Sequence, residues 1–277
     1  MQLKAGLLQA SVLAGEVLHL QNHIAWNIVL GGKAVGQLPA HHELDDLLHG
    51  QLLGRAGGHP LAVAHDSHIV GNPQNGEIYA MASNHGFDLT DPDDLSDKYT
   101  DAELKSMTEE EKSDALNEKW YNYCVSESFE PGSTFKPIVV ASALEMGAIT
   151  TDATYVCDGG EFVTDTEIKC DNIYGHGNET LSDVIKNSCN DAMMQIAAKM
   201  GTEQYLKAQT LFNFGSRTGI DLPNEGSGVI HTADTMGETE LACSAFGQGF
   251  TCTMIQEINA MCSVINGGSY YQPHLVS

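Results

Sequence analysis

The sequence predicts an α/β (α+β) protein in which helices pack on a mixed antiparallel sheet. The strand signal is clearest at residues 69–83, where side chains alternate in character beyond Asn75-Gly76, a pair typical of tight hairpins. The helix signal consists of apolar residues at three- and four-residue steps in stretches that start near Ser133, Met193 and Thr253. We therefore expect a hairpin that starts the sheet and buried helices further along the chain.

The remaining elements follow from caps and turns. Capping-box patterns begin at Thr100 and Thr108 in an acidic, polar region, so we expect two short surface helices there. Residues 150–177 are rich in Gly and Asp and predict short strands joined by loops. The last helix, through residues 253–265, should end at Asn266-Gly267-Gly268, because glycine favours the backbone conformation that ends helices.

The 277 residues divide into two parts of different composition. Residues 1–68 contain three basic and five acidic side chains and eight of the twelve histidines, whereas residues 69–277 contain ten basic and thirty-two acidic side chains. We therefore predict an atypical segment, residues 1–68, followed by a domain, residues 69–277. The formal net charge of −24 excludes nucleic acid as a partner, because phosphate recognition needs clustered Lys and Arg.

All seven cysteines lie in the second part. Cys157 and Cys170 flank a Gly-rich loop and could form a disulfide in an exported protein. Most of the other cysteines lie among apolar residues, which favours buried thiols. No Cys-x-x-Cys pair occurs, and the histidine-rich stretches lack a clear metal-ligand spacing. The sequence therefore predicts no metal site and no cofactor.

Candidate chemistry lies in the stretch Glu130-Pro131-Gly132-Ser133-Thr134-Phe135-Lys136-Pro137. A helix that starts at Ser133 places Ser133 and Lys136 one turn apart on the same face. A serine hydroxyl needs a base to become a nucleophile, and a partly buried lysine with a lowered pKa can be that base. Free N–H groups at the helix start favour negative charge near Ser133.

A second motif supports this interpretation. Ser-x-x-Lys alone is a weak signal, but it occurs once in the chain, and the one Ser-x-Asn, Ser188-Cys189-Asn190, lies downstream between two helical segments. Elements of these types, together with Lys-Thr-Gly, form the signature set of penicillin-binding proteins and class A β-lactamases.

From Asn72 to the C-terminus the chain resembles the transpeptidase domain of class B penicillin-binding proteins, which cross-link the bacterial cell wall. The resemblance implies the fold shared by penicillin-binding proteins and serine β-lactamases. The segments that carry it are 72–83, 130–137, Asn187-Ser188-Cys189-Asn190, Thr218-Gly219-Ile220-Asp221-Leu222-Pro223, Phe246-Gly247-Gln248-Gly249, Asn266-Gly267-Gly268 and Pro273.

The resemblance also implies roles and partners. Ser133 would attack the carbonyl of a D-alanyl-D-alanine stem peptide of peptidoglycan, and Lys136 would activate it. Ser188 would pass the proton towards the leaving group, and Asn190 would bind the substrate amide and help to hold Lys136. β-Lactams would acylate Ser133, and other cell-wall synthesis proteins are further expected partners. No metal or organic cofactor is needed.

The chain departs from the family pattern at both ends. Family members continue into a strand bearing Lys-Thr-Gly, whereas this chain stops at Ser277, and Arg217-Thr218-Gly219 is no substitute because it leads into a turn. Family members also carry a membrane anchor and a further domain before the hairpin, on the extracytoplasmic face of the bacterial cell membrane. Here no run of ~18 apolar residues occurs. We expect residues 1–68 to be foreign to the family, through a wrong start or frame in the gene model.

Two alternatives remain open. A serine β-lactamase or β-lactam sensor shares the fold and differs in how fast it releases the acyl group. A non-catalytic scaffold of a cell-wall synthesis complex would keep Ser133 and Lys136 without using them.

We predict that this chain, ending before Lys-Thr-Gly, has little or no transpeptidase activity by itself. The missing strand supplies an oxyanion donor, and losing one such donor costs about 100- to 1,000-fold in rate. Incubation with a fluorescent penicillin tests this prediction. Stoichiometric labelling that disappears in Ser133→Ala would contradict it.

Overall fold

The computed structural model describes residues 29–30, 67–83 and 86–276. The strands in these ranges are β1 (Val29–Leu30), β2 (Ser67–Gly71), β3 (Ile78–Ser83), β4 (Ser128–Phe129), β5 (Thr154–Cys157), β6 (Gly160–Val163), β7 (Thr166–Lys169), β8 (Gly177–Thr180) and β9 (Cys252–Thr253). The helices are α1 (Asp101–Ser106), α2 (Glu109–Lys119), α3 (Tyr123–Ser126), α4 (Lys136–Glu145), α5 (Leu181–Lys186), α6 (Asn190–Leu211), α7 (Glu238–Ser244) and α8 (Met254–Ile265), and a 3₁₀ turn covers Gly132–Phe135.

The predicted hairpin supplies two strands of a three-stranded sheet, and its first strand, β2, is the central one. β2 and β3 pair antiparallel, and β1 pairs with the other edge of β2 in parallel. Gly76 has the positive φ of +87° that the turn needs, but Asn75 does not share it and instead accepts the backbone N–H of Glu77 through its side chain. β2 begins at Ser67, two residues before the predicted boundary. Nearly all of residues 1–66 lie outside the described ranges, so the prediction about their origin stays a prediction.

The acidic region folds as the capping boxes predict. Thr100 caps α1 together with Glu103, and Thr108 caps α2 together with Glu111. Both helices lie on the surface; Ala115 is their one buried residue.

The region from 150 to 180 consists of two short antiparallel ladders, as expected. β5 pairs with β8, and β6 pairs with β7. The rejected tripeptide Arg217-Thr218-Gly219 lies in a loop, where the backbone N–H of Thr218 donates to Glu225 at 2.6 Å. That placement agrees with its exclusion as a strand motif.

Helices surround the buried helix α4 and form the main core. Every residue of α4 from Lys136 to Ala143 is buried, and α6 packs alongside it. A smaller core of Ile69, Ile78, Ile255 and Ile258 joins the hairpin to α8. Burying each large apolar side chain of α4 contributes about 1.5–3 kcal/mol. The helix is therefore a rigid base for the residues at its start.

Within the described residues, no helix has both the length and the apolar character that crossing a bilayer requires.

Candidate active site

The predicted nucleophile lies in the 3₁₀ turn rather than in an α-helix. We expected the helix to open at Ser133, but the α-helix starts at Lys136, and the turn of Gly132–Phe135 leads into it. Gly132 allows this entry with a φ of +61°. Side chains three residues apart eclipse one another in a 3₁₀ turn, so Ser133 and Lys136 still project to the same side.

The second motif connects two helices. α5 ends at Lys186, and Ser188 takes a positive φ of +53°, which is uncommon for a residue with a side chain. Cys189 caps α6, and Asn190 is the first residue of that helix. This tight connection turns the side chains of Ser188 and Asn190 towards the start of α4.

The four predicted site residues lie in one hydrogen-bonded cluster. Lys136 Nζ donates to the carbonyl oxygen of Ser188 at 2.6 Å, to Ser188 Oγ at 2.8 Å and to Asn190 Oδ1 at 2.6 Å. Ser188 Oγ donates to Ser133 Oγ at 2.9 Å. The hydrogen-bonded path from the amine to the nucleophile therefore runs through Ser188.

Burial sets the protonation of this cluster. The Lys136 side chain is only 2% exposed, and this burial lowers the pKa of Lys136 to about 8, against the opposing effect of Asp171. Roughly a tenth of the molecules then carry the neutral amine at pH 7. A neutral amine can accept a proton that reaches it through Ser188, so the site can generate a serine nucleophile.

The glycine motif near the C-terminal helix supports the Ser133 turn. The N–H of Gly132 donates to the carbonyl of Gly247 at 2.9 Å, and the N–H of Gly249 donates to Glu130 at 2.8 Å. A Cβ on Gly247 would lie 2.0 Å from the carbonyl oxygen of Gly132. Only glycine permits this approach, which explains why Phe246-Gly247-Gln248-Gly249 accompanies the serine motif.

One residue near the site escaped the sequence analysis. Glu257 on α8 is buried against Thr134, and the two side chains share a short hydrogen bond. Burial raises the pKa of Glu257 to about 7. The Thr134 hydroxyl also lies 2.7 Å from the carbonyl of Pro131 and has a single proton, so a protonated Glu257 lets both contacts form at once. The signal in the sequence was an acidic residue inside an apolar helical stripe.

The chain is similar to known proteins over most of its length. The model of the penicillin binding protein transpeptidase domain matches residues 67–277. The chain belongs to this family. Among its relatives, stage V sporulation protein D of Bacillus subtilis is 34% identical over 208 residues, which are 75% of this chain and 29% of that protein. The peptidoglycan D,D-transpeptidase MrdA of Acinetobacter baumannii is 29% identical over 238 residues, which are 82% of this chain and 33% of that protein.

Solved structures of the family share the fold. Penicillin binding protein 3 of Mycobacterium tuberculosis in complex with aztreonam superposes with a TM-score of 0.62 at 24% identity, over 76% of this chain and 42% of that one. A complex of the penicillin-binding protein PBP2 with MreC from Helicobacter pylori gives a TM-score of 0.62 at 24% identity, over 74% of this chain and 39% of that one. The chain thus spans about a third of the length of the curated relatives, which are much longer proteins.

Replacing Glu257 by Gln should change how stability depends on pH. The pKa of Glu257 is about 7 in the folded protein against an ordinary value of 4.5, so the folded state holds this proton more tightly than the unfolded chain. The free energy of unfolding therefore falls as pH rises from about 4.5 to 7, by about 3 kcal/mol in total. We expect Glu257→Gln to remove most of this slope in thermal unfolding measured from about pH 5 to 8.

The matched control is Glu203→Gln, since Glu203 is exposed on α6. It should keep the wild-type slope. An unchanged slope in Glu257→Gln would show that this carboxyl does not titrate near neutrality.

Proposed function

We propose that the protein containing this chain is a peptidoglycan D,D-transpeptidase that works through an acyl-serine intermediate on Ser133. The observation that carries the proposal is the hydrogen-bonded path from the buried Lys136 amine through Ser188 to Ser133. Membership in the transpeptidase family supports the same reaction class.

The first half of the reaction forms the acyl-enzyme. Ser133 Oγ attacks the carbonyl carbon of the D-alanyl-D-alanine bond, and its proton passes over Ser188 Oγ to the neutral Lys136 amine. The same path returns a proton to the departing D-alanine nitrogen when the peptide bond breaks. Ser188 contacts both Ser133 and Lys136, so it can serve in both directions.

The second half transfers the acyl group. An amine of a neighbouring peptide strand attacks the ester, gives up its proton along the same path, and releases Ser133. Asn190 accepts from Lys136 through its carbonyl oxygen, which orients its amide NH₂ group as a donor for the substrate backbone.

We place the protein at the extracytoplasmic face of the bacterial cell membrane, where peptidoglycan stem peptides are available. β-Lactams should acylate Ser133 in place of the peptide, in line with the aztreonam complex of a structural neighbour. The neighbour bound to MreC supports a further role for cell-wall synthesis proteins as partners.

Covalent capture of a fluorescent penicillin tests this function. In the full-length protein that contains this chain, we expect labelling at Ser133 that disappears in Ser133→Ala. Lys136→Ala should slow labelling by about 10²- to 10⁴-fold, the usual contribution of a positioned proton acceptor. Ser113→Ala and Lys207→Ala change exposed residues on α2 and α6 and should label like the wild type. Absence of labelling in the wild type would favour the scaffold alternative.

The lifetime of the labelled protein distinguishes a transpeptidase from a β-lactamase. A transpeptidase keeps the penicilloyl group for hours, whereas a β-lactamase releases it far faster. Mass spectrometry after removal of free penicillin measures this lifetime. Release within seconds would contradict the proposal in favour of a β-lactamase.

A further inference from the structure

Glu257 is a buried acid whose side chain reaches the turn that carries the nucleophile. It lies on α8 and is only 4% exposed. Its carboxyl shares a short hydrogen bond with the hydroxyl of Thr134, the residue that follows Ser133. A carboxyl at this depth is costly unless a polar group compensates it, and Thr134 is such a group. The contact connects α8 directly to the Ser133 turn.

The Thr134 hydroxyl has one proton and two neighbouring acceptors. It lies 2.7 Å from the carbonyl oxygen of Pro131, and it also contacts Glu257 Oε1. A protonated Glu257 donates to Thr134, so Thr134 is free to donate to Pro131. An ionised Glu257 instead draws the hydroxyl proton to itself, because a hydrogen bond to a charged acceptor is stronger than one to a neutral acceptor. The Pro131 carbonyl then loses its bond from Thr134.

The bond between Thr134 and Pro131 closes the turn around the nucleophile, since these two residues lie on either side of Ser133 in the chain. The turn is a 3₁₀ turn, whose own hydrogen bonds have poorer geometry than those of an α-helix. A side-chain bond across the turn therefore matters for its shape. Losing that bond allows Ser133 Oγ to move relative to Ser188 Oγ, which lies 2.9 Å away. Small displacements of reacting groups cause large losses of rate.

We propose that Glu257 is a positioning residue, which keeps the Ser133 turn closed through Thr134 when it is protonated and releases the turn when it is ionised. The inference rests on the proposed function, because its consequence is a change in the acylation of Ser133. Glu257 acts through Thr134 and is separate from Lys136, which exchanges the proton of the nucleophile. The site then contains two proton-dependent groups with different tasks.

The surroundings of Glu257 leave burial as the main influence on its proton. Burial raises the pKa of Glu257 to about 7, against the opposing effect of the hydrogen bond from Thr134. The titratable groups on α8 and on the elements packed most closely against it are His68 on β2, Tyr123 and Cys124 on α3, Lys136 and Glu145 on α4, Cys252 on β9 and Cys262 on α8. Burial, together with the charge of Glu257, raises the pKa of Cys252, so this thiol stays neutral while Glu257 titrates. Every cysteine of the chain is a free thiol, so the disulfide expected between Cys157 and Cys170 is absent.

The pH dependence of acylation tests the proposal in the full-length protein that contains this chain. The rate of Ser133 acylation by penicillin is measured for the wild type and for Glu257→Gln. The amide of Gln donates to Thr134 at every pH, so the turn should stay closed. Dividing the Glu257→Gln rate by the wild-type rate cancels the titration of Lys136, which both proteins share. We expect this ratio to rise at least about tenfold from pH 6.5 to pH 9, as Glu257 ionises in the wild type.

Two substitutions of Thr134 test the route of the effect. Thr134→Ser keeps the hydroxyl and should retain the dependence of the acylation rate on Glu257. Thr134→Val keeps the shape without the hydroxyl, so adding Glu257→Gln to it should give a rate ratio that stays constant with pH. Glu203→Gln, which changes an exposed acid on α6, should follow the wild-type profile. A general loss of packing would not produce this difference between Ser and Val.

A second measurement observes the turn itself and needs no acylation. Pro131-Gly132 is the one Pro-Gly pair in this sequence. Proline labelled with ¹³C at the carbonyl and glycine labelled with ¹⁵N therefore select the Pro131 carbonyl in an NMR spectrum, and Pro131→Ala confirms the assignment. In the wild type this signal should shift with a midpoint near pH 7, as Thr134 leaves Pro131. In Glu257→Gln the signal should stay constant.

The outcomes separate the positioning role from the reaction. A wild-type Pro131 signal that does not shift between about pH 6 and 9 would overturn the proposal without any variant. A Glu257→Gln to wild-type rate ratio that stays constant with pH would overturn it as well. If the wild type is not acylated at any pH while the Pro131 signal shifts as expected, the result counts against the transpeptidase function and supports the control of the turn by Glu257.

Discussion

The burial of the Lys136 amine is the constraint on which the site depends. An ammonium group has three protons, and here three acceptors receive them: the backbone carbonyl of Ser188, its hydroxyl, and Asn190. When the amine is neutral it donates only two bonds, and a lone pair becomes available towards the Ser188 hydroxyl. Burial favours that neutral form, and the acceptors keep the charged form accessible. The same contacts that hold the lysine therefore also allow it to exchange a proton near neutral pH.

The serine turn is held from two further sides. Gly247 meets Gly132 through a backbone contact that leaves no room for a side chain, and Glu130 accepts from Gly249. Glu257 contacts Thr134, the residue after the nucleophile. The turn thus has supports from the loop before β9 and from α8, elements more than a hundred residues away in sequence. Such long-range supports fix the nucleophile within the narrow tolerance that proton transfer needs.

The sequence predicted most of the local structure, because each local element had a local cause. The capping boxes at Thr100 and Thr108, the hairpin around Gly76 and the end of α8 depend on neighbours within a few residues. The four site residues were found because their spacing is itself local within each motif. Glu257 was not found, since its meaning comes from a tertiary contact with Thr134.

Ser188 has a left-handed backbone conformation, so its neighbours must hold it in place. A residue with a side chain in the left-handed region costs about 1–3 kcal/mol and persists only where its neighbours enforce it. Lys136 enforces it on one side by bonding both the carbonyl and the hydroxyl of Ser188. On the other side Cys189 is anchored among buried sulfur atoms and at the first turn of α6. The strained Ser188 is therefore held by Lys136 on one side and by its neighbour Cys189 on the other. Loosening either residue would free the hydroxyl that connects Lys136 to Ser133.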